Sequence, residues 1–122
     1  MKKLMLLLVL AFPMAAQADY LDIIASKLNA GCTMEKYLQI VQDFRVQWAD
    51  SRGYKVEILF PAQSRDLSTF FWVGRISSAE AFGKGLDAWS SAQSDPNSAP
   101  AKLMARFREC SSAESRAGFF TR

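Results

Sequence analysis

Residues Leu67–Trp89 read LSTFFWVGRISSAEAFGKGLDAW and join a densely aromatic strand to a helix, so this stretch decides the fold. The residues of Thr69–Ile76 suit a pleated, packed surface, and their side chains alternate in two sets. One set is Phe70, Trp72, Gly74 and Ile76, and the other is Thr69, Phe71, Val73 and Arg75. Ser77 and Glu80 have the spacing of a capping box, which predicts that a helix begins there.

The N-terminus has the three parts of a secretory signal peptide. Lys2 and Lys3 are basic, residues 4–12 form an apolar run too short to span a bilayer, and residues 16–18 are a small-x-small cleavage motif. We therefore expect residues 1–18 to be removed and residues 19–122 to form a single domain in the periplasm, with secretion as the alternative. No later apolar run is long enough for a membrane span.

The charge of the chain argues against nucleic acid as a partner. The sequence has 15 Lys and Arg against 12 Asp and Glu, and loss of the two signal-peptide lysines leaves thirteen against twelve. A nucleic-acid site needs clustered positive charge to release counterions. The one basic cluster, Lys102, Arg106 and Arg108, fits a solvated helix face better.

Two cysteines, Cys32 and Cys110, remain after the predicted cleavage. An even number of cysteines in an exported chain predicts a disulfide. A redox or metal pair is the alternative, but the CxxC spacing and a histidine are both missing.

The other elements before the aromatic strand follow from hydrophobic patterning and capping residues. Tyr20–Ser26 predicts a first strand, although a helical interpretation through Asn29 also fits. We expect a long helix from an N-cap at Thr33 to about residue 52, with Gly53 as the C-cap glycine. Residues 54–60 alternate as a second strand.

Two helices and a strand should follow the aromatic strand. We expect a helix from Ser78 to about Ser91 and a short third helix capped by Ser98. After a loop at residues 111–115, residues 116–122 predict the last strand.

This order of elements predicts an α+β, ferredoxin-like βαββαβ fold, with strand order 4-1-3-2 and helices on one face of the sheet. The two cysteines then stand where the first strand ends and the last begins. The face away from the helices, with Leu59, Phe71 and Val73, would be an exposed apolar patch. We therefore expect a homodimer with isologous symmetry.

The element order, the aromatic third strand and the FWVGRISSAEAFGKGLDAW signature (residues 71–89) resemble the dimeric α/β-barrel group, which includes antibiotic-biosynthesis monooxygenase-like domains. The resemblance covers most of residues 19–122. It implies a ligand site between sheet and helices, and an activity like that of the group's cofactor-free or haem-degrading oxygenases. Trp72 lies on a suitable strand for the Trp of those oxygenases, but Asn29 falls beyond the first strand. The haem-binding histidine has no counterpart.

The sequence contains no histidine. This removes the usual general base, the His-dependent nucleophile pairs and the common zinc and haem ligands. We expect no metal or cofactor, so any catalysis would rest on carboxylates, Lys, Tyr or Arg.

Alternation along the strands predicts two candidate sites. On the helix-facing side, four aromatic residues would line a cleft for a planar ligand, or simply form the core: Tyr37, Trp48, Trp72 and Trp89. On the opposite side, Glu57 and Arg75 would pair across a hairpin, either as a functional carboxylate or as a pair that fixes the dimer register. Asp22 and Arg116 are weaker candidates of the same kind.

Three functions fit these features. The leading hypothesis is an exported homodimer that binds a small apolar or aromatic molecule. The alternatives are a cofactor-free oxygenase and a structural or interaction module whose dimer surface is its function. An internal cavity beside Trp72 would argue against the third.

Overall fold

The computed structural model describes residues 18–122, so the predicted signal peptide lies outside the described residues except for Ala18. Four strands form one antiparallel sheet in the order β2-β3-β1-β4: β1 Tyr20–Leu28, β2 Lys55–Leu59, β3 Phe70–Ile76 and β4 Ser111–Phe120. Three helices lie against one face: α1 Met34–Phe44, α2 Ala79–Ala92 and α3 Ala99–Cys110. The predicted ferredoxin-like fold is confirmed, including the two helices expected between the third and the last strand.

Strand β3 shows the expected alternation. Phe70, Trp72 and Ile76 are buried under the helices, whereas Phe71 and Arg75 are exposed on the other side. The hydrophobic core therefore lies between the helices and the Trp72 side of the sheet. The Phe71 side is left uncovered by the described chain.

The helix that begins at the Thr33 cap does not continue regularly to residue 52. After α1 it changes to a π-helical segment, Arg45–Ala49, and then to a 3₁₀ turn that ends at Gly53. Gly53 has a φ of 65°, so it is the predicted C-cap glycine. The Arg45 guanidinium donates to the Val56 carbonyl at 2.6 Å, which ties this widened segment to β2.

The capping box predicted at Ser77 and Glu80 is wrong by one residue. Ser78 is the N-cap of α2, and its hydroxyl accepts a hydrogen bond from the Ala81 N–H. Glu80 instead forms an ion pair with Lys84 one turn further along the helix, at 3.1 Å. The predicted cap of α3 at Ser98 is confirmed.

The loop predicted at residues 111–115 is also wrong. Strand β4 begins at Ser111, directly after α3, because it pairs with a first strand that extends to Leu28. A register shift at Ala25 and Ser26 accommodates this pairing. β4 is an edge strand, and most of its side chains are exposed. Its first residues are small or polar, so their types do not favour a strand, and backbone pairing with β1 places them in the sheet.

The disulfide is confirmed. Cys32 and Cys110 are bonded, and their Cα atoms lie 5.1 Å apart. The bond joins the loop after β1 to the end of α3, beside a hydrogen bond from the Asn29 N–H to the Cys110 carbonyl at 2.9 Å. Among the helices of residues 18–122, none has the length and apolar character needed to cross a bilayer.

Removing the disulfide should destabilise the protein strongly. The bridge closes a loop of 78 residues, for which chain entropy gives roughly 4.5 kcal/mol. We expect the double variant Cys32→Ala/Cys110→Ala to lose about 2–4 kcal/mol of unfolding free energy in urea titrations. A reductant should lower the stability of the wild type and leave the double variant unchanged. A wild type that is insensitive to reductant would contradict this.

Candidate functional site

A cavity of about 520 Å³ lies between the sheet and the helices. Every element except β2 contributes side chains to its wall. The four aromatic residues predicted for a cleft all line it: Tyr37, Trp48, Trp72 and Trp89. The structure thus brings these four side chains together around one space.

Phe44 holds the aromatic wall in place. Its ring lies edge-on to Trp72 at 5.1 Å, to Trp89 at 5.4 Å and to Phe107 at 6.1 Å between centroids. Trp48 packs edge-on against Trp89 at 5.2 Å. Edge-to-face contacts are the favourable geometry for aromatic pairs, so they fix the orientation of the indoles around the cavity.

A polar network forms the sheet side of the cavity. Asp22, on the central strand β1, is only 2% exposed. Arg116 binds both of its carboxylate oxygens, with Nε to Oδ1 at 2.8 Å and Nη2 to Oδ2 at 2.7 Å. The Tyr54 hydroxyl donates to Oδ2 at 2.8 Å and accepts from the Trp72 indole N–H at 2.8 Å. Trp72 is therefore linked through one phenol to an ion pair between the buried Asp22 and the half-exposed Arg116.

Two glycines make room for this network. Asp22 lies directly opposite Gly74 on β3 and Gly118 on β4. A Cβ atom on Gly74 would collide with the phenol of Tyr54, and one on Gly118 would collide with the phenol of Tyr20. The two tyrosine rings can lie over the sheet on either side of the carboxylate only because both positions lack a side chain.

Two phenols and one guanidinium on the cavity wall have raised pKa values. Burial, and then the neighbouring Asp22 carboxylate, raise the pKa of the Tyr54 phenol far above its ordinary value. Burial likewise raises the pKa of Tyr37. Hydrogen bonds to Asp22 raise the pKa of Arg116. Both phenols are thus neutral near pH 7, and Arg116 is a permanent cation.

Two further arginines line the cavity. The guanidinium carbon of Arg52 lies 3.4 Å from the centroid of the Trp48 ring, which is a cation–π contact. Arg108 contributes from α3. Neither one forms an ion pair with any residue of the described range.

The second predicted site is not assembled as expected. In the strand register, Glu57 lies opposite Val73, and Arg75 lies opposite Lys55. Arg75 instead pairs with Asp19 at 3.0 Å. The expected Glu57–Arg75 pair is therefore wrong, and both side chains are exposed on the uncovered face, away from the cavity.

Sequence reasoning placed Asp22 and Arg116 with the exposed pair and missed Tyr54. The available signal was the position of Asp22: a carboxylate at an inward-facing place between Tyr20 and Ile24 needs a buried partner. The identity of that partner depended on the register of β4, which no local pattern shows. Within residues 18–122, no group of three or more His, Cys, Asp and Glu side chains is placed to hold a metal ion.

No protein-family model and no curated protein sequence matches this chain. Solved structures do match it. The fold is ferredoxin-like. One match is a DABB family protein with a ferredoxin-like fold from Mesorhizobium loti. Its TM-score is 0.51 at 11% identity, over 87% of this chain and 97% of its own.

Two other solved structures share the fold. A NIPSNAP family protein of unknown function from Agrobacterium tumefaciens has a TM-score of 0.57 at 14% identity, over 88% of this chain and 89% of its own. SnoaB, a cofactor-independent oxygenase from Streptomyces nogalater, has a TM-score of 0.53 at 12% identity, over 86% of this chain and 94% of its own. At such identities these likenesses establish the fold alone.

Tyr54→Phe should destabilise the protein and change its alkaline unfolding. Loss of the hydroxyl removes a donor to Asp22 and leaves the Trp72 indole N–H without its acceptor, at a cost of about 1–3 kcal/mol near neutral pH. Tyr20→Phe is the matched control, because the Tyr20 hydroxyl makes no side-chain hydrogen bond within the described chain.

The pH dependence has a definite sign. In the unfolded chain a tyrosine ionises near about pH 10, whereas the folded protein holds Tyr54 and Tyr37 neutral. The unfolding free energy is therefore unaffected by these phenols below about pH 10 and falls above it, by about 1.4 kcal/mol per pH unit for each. Urea titrations should show a shallower fall for Tyr54→Phe. Equal slopes would contradict the raised pKa.

Proposed function

We propose that this protein binds a small apolar or aromatic molecule in the cavity between its sheet and its helices. The observation that carries the proposal is the cavity itself: about 520 Å³ of space, open to solvent on one side and lined by eight aromatic side chains. This volume lies in the range of small-molecule sites, about 300–1,000 Å³. A purely structural domain of this size would fill such a space with side chains, so the cavity favours binding.

The wall favours a planar ligand. Three indoles present flat, polarisable surfaces, and each ring-to-ring contact adds about 0.5–1.5 kcal/mol beyond the burial of area. The Asp22 network offers a few fixed polar groups on one side, a combination typical of sites that orient an aromatic molecule.

A cofactor-free oxygenase is the second candidate. SnoaB is a cofactor-independent oxygenase with the same fold, and this chain places Trp72 and the Arg116-paired carboxyl group of Asp22 on the cavity wall. In that case the site would bind a quinol-like substrate and consume oxygen. The simpler binding function requires neither step.

Leucine substitutions at two glycines of α2, Gly85 and Gly83, test ligand binding. The chain's three tryptophans all line the cavity, so the three indole N–H signals in NMR spectra report on it directly. We expect naphthol to shift these signals in the wild type. Gly85 lines the cavity, and a Cβ there meets nothing within 4 Å. Gly85→Leu should therefore fill part of the space and weaken binding about tenfold or more.

Gly83→Leu is the matched control. Gly83 is on the same helix with the same free space at its Cβ, but it does not line the cavity. Both variants should stabilise the helix by about 0.5–1 kcal/mol, and only Gly85→Leu should weaken binding. Unshifted indole signals with every apolar and aromatic probe would contradict the proposal. Oxygen consumption during the titration would favour the oxygenase instead.

We also infer that the chain forms a homodimer through the uncovered face of its sheet. Phe71 is 38% exposed, and Leu59 and Phe119 are each 49% exposed on this face. Leu59 lies directly opposite Phe71, so the apolar surface is continuous across β2 and β3. An isologous contact would bury it in both copies at once.

Charge on the same face favours a second copy as the occupant. Lys55 and Arg75 lie opposite each other at one side of the patch, and Glu57 lies two residues from Lys55 on the same side of β2. Neither Lys55 nor Glu57 forms an ion pair within residues 18–122. Both signs are therefore present beside one apolar patch, and a two-fold axis lets them meet across the contact.

The dimer can be tested with matched charged variants. We expect sedimentation equilibrium to give twice the chain mass for the wild type. Phe71→Glu should give folded monomers, since it buries an unpaired carboxylate in the contact. Val46→Glu should remain dimeric, because Val46 is 66% exposed on the π-helical segment, on the other side of the sheet. A monomeric wild type would contradict this proposal.

We infer a periplasmic location for the mature chain. The disulfide supports an oxidising compartment. The basic and apolar pattern of residues 1–18 supports export.

A further inference from the structure

The charges that line the cavity are unbalanced. Three arginines, Arg52, Arg108 and Arg116, line the cavity. Asp22 is the one acidic residue among the lining residues. Both oxygens of that carboxylate are already engaged, by Arg116 and by the Tyr54 hydroxyl. The lining therefore has an excess of positive charge and of N–H donors, and it has no free carboxylate.

Arg52 is held in place by Trp48 and Ser51 and keeps free N–H donors. Its guanidinium stacks on Trp48, with the guanidinium carbon 3.4 Å from the ring centroid. One nitrogen, Nη1, donates to the Trp48 carbonyl at 3.2 Å and to the Ser51 hydroxyl at 3.3 Å. The other two nitrogens make no hydrogen bond within the described chain. A stacked guanidinium loses little freedom when it binds a planar acid.

Arg108 adds a second uncompensated cation. Its backbone carbonyl accepts a hydrogen bond from the Asn29 side chain at 3.0 Å, which fixes its place at the end of α3. Its guanidinium forms no side-chain hydrogen bond or ion pair within residues 18–122. By contrast, Arg75 and Arg106 each pair with an aspartate. Arg45, Arg65 and Arg122 also form no ion pair within residues 18–122, but Arg52 and Arg108 are the two of these arginines that line the cavity.

We propose that the ligand is an aromatic carboxylate, with its ring among the three indoles and its acidic group bound by Arg52 and Arg108. This inference rests on the proposed binding function and specifies its ligand class. An arginine binds a carboxylate through two parallel N–H bonds, which gives direction as well as affinity. A cationic ligand would meet the excess positive charge and should bind more weakly than a neutral or anionic one.

The test compares three probes of the same shape: naphthoate, naphthalenemethanol and naphthylmethylammonium. Their charges are negative, neutral and positive, and the indole N–H signals measure all three affinities. We expect naphthoate to bind about tenfold more tightly than the alcohol, and the ammonium more weakly than either.

Variants of the two arginines test whether these side chains bind the acidic group of naphthoate. Arg52→Gln and Arg108→Gln should each lower the affinity for naphthoate more than the affinity for the alcohol, so that the ratio of the two affinities falls. Continued binding of the alcohol shows that the aromatic wall is intact. Lys102→Gln, an exposed change on α3 outside the cavity, should alter neither affinity.

The outcomes separate the two proposals. If the alcohol binds as tightly as naphthoate, or if both arginine variants bind naphthoate like the wild type, this inference is overturned while the binding function stands. If no probe shifts any indole signal, the binding function is overturned and this inference with it.

Discussion

The carboxylate of Asp22 is the constraint on which the rest of the structure depends. A charge buried in the central strand is strongly destabilising unless it is paired and hydrogen-bonded. Arg116 on β4 and Tyr54 before β2 supply those bonds, and the two facing glycines make the approach of the tyrosine ring possible. One residue therefore joins segments that are distant in sequence, including β4, which pairs with β1 beside it.

The same network explains why the space above the sheet stays open. Tyr54 holds the Trp72 indole by its N–H, and Phe44 then contacts Trp72 and Trp89 edge-on. Rigid rings in fixed orientations cannot collapse into a gap as flexible aliphatic side chains do. A small residue, Gly85, faces the gap from α2. The cavity is thus a consequence of polar anchoring at the sheet combined with edge-to-face packing above it.

The two sides of the sheet have separate chemistry. The covered side contains the buried Asp22 carboxylate with its ion pair to Arg116 and the aromatic cavity, whereas the uncovered side contains apolar side chains bordered by charges of both signs. Because side chains alternate along a strand, Trp72 and Phe71 serve different surfaces although they are neighbours. A shared ferredoxin-like fold imposes this arrangement without specifying what fills either surface, so function here must be argued from the site.

The sequence by itself determined the features that depend on near neighbours: the alternation in β3, the caps at Thr33, Gly53 and Ser98, and the aromatic residues of the inward face. These are local because burial and capping repeat at short, fixed spacings. Only the tertiary structure decided that Arg116 joins Asp22 and that Arg75 joins Asp19. Those partners depend on the register of strands far apart in sequence, and a single shift beside Ser26 alters it.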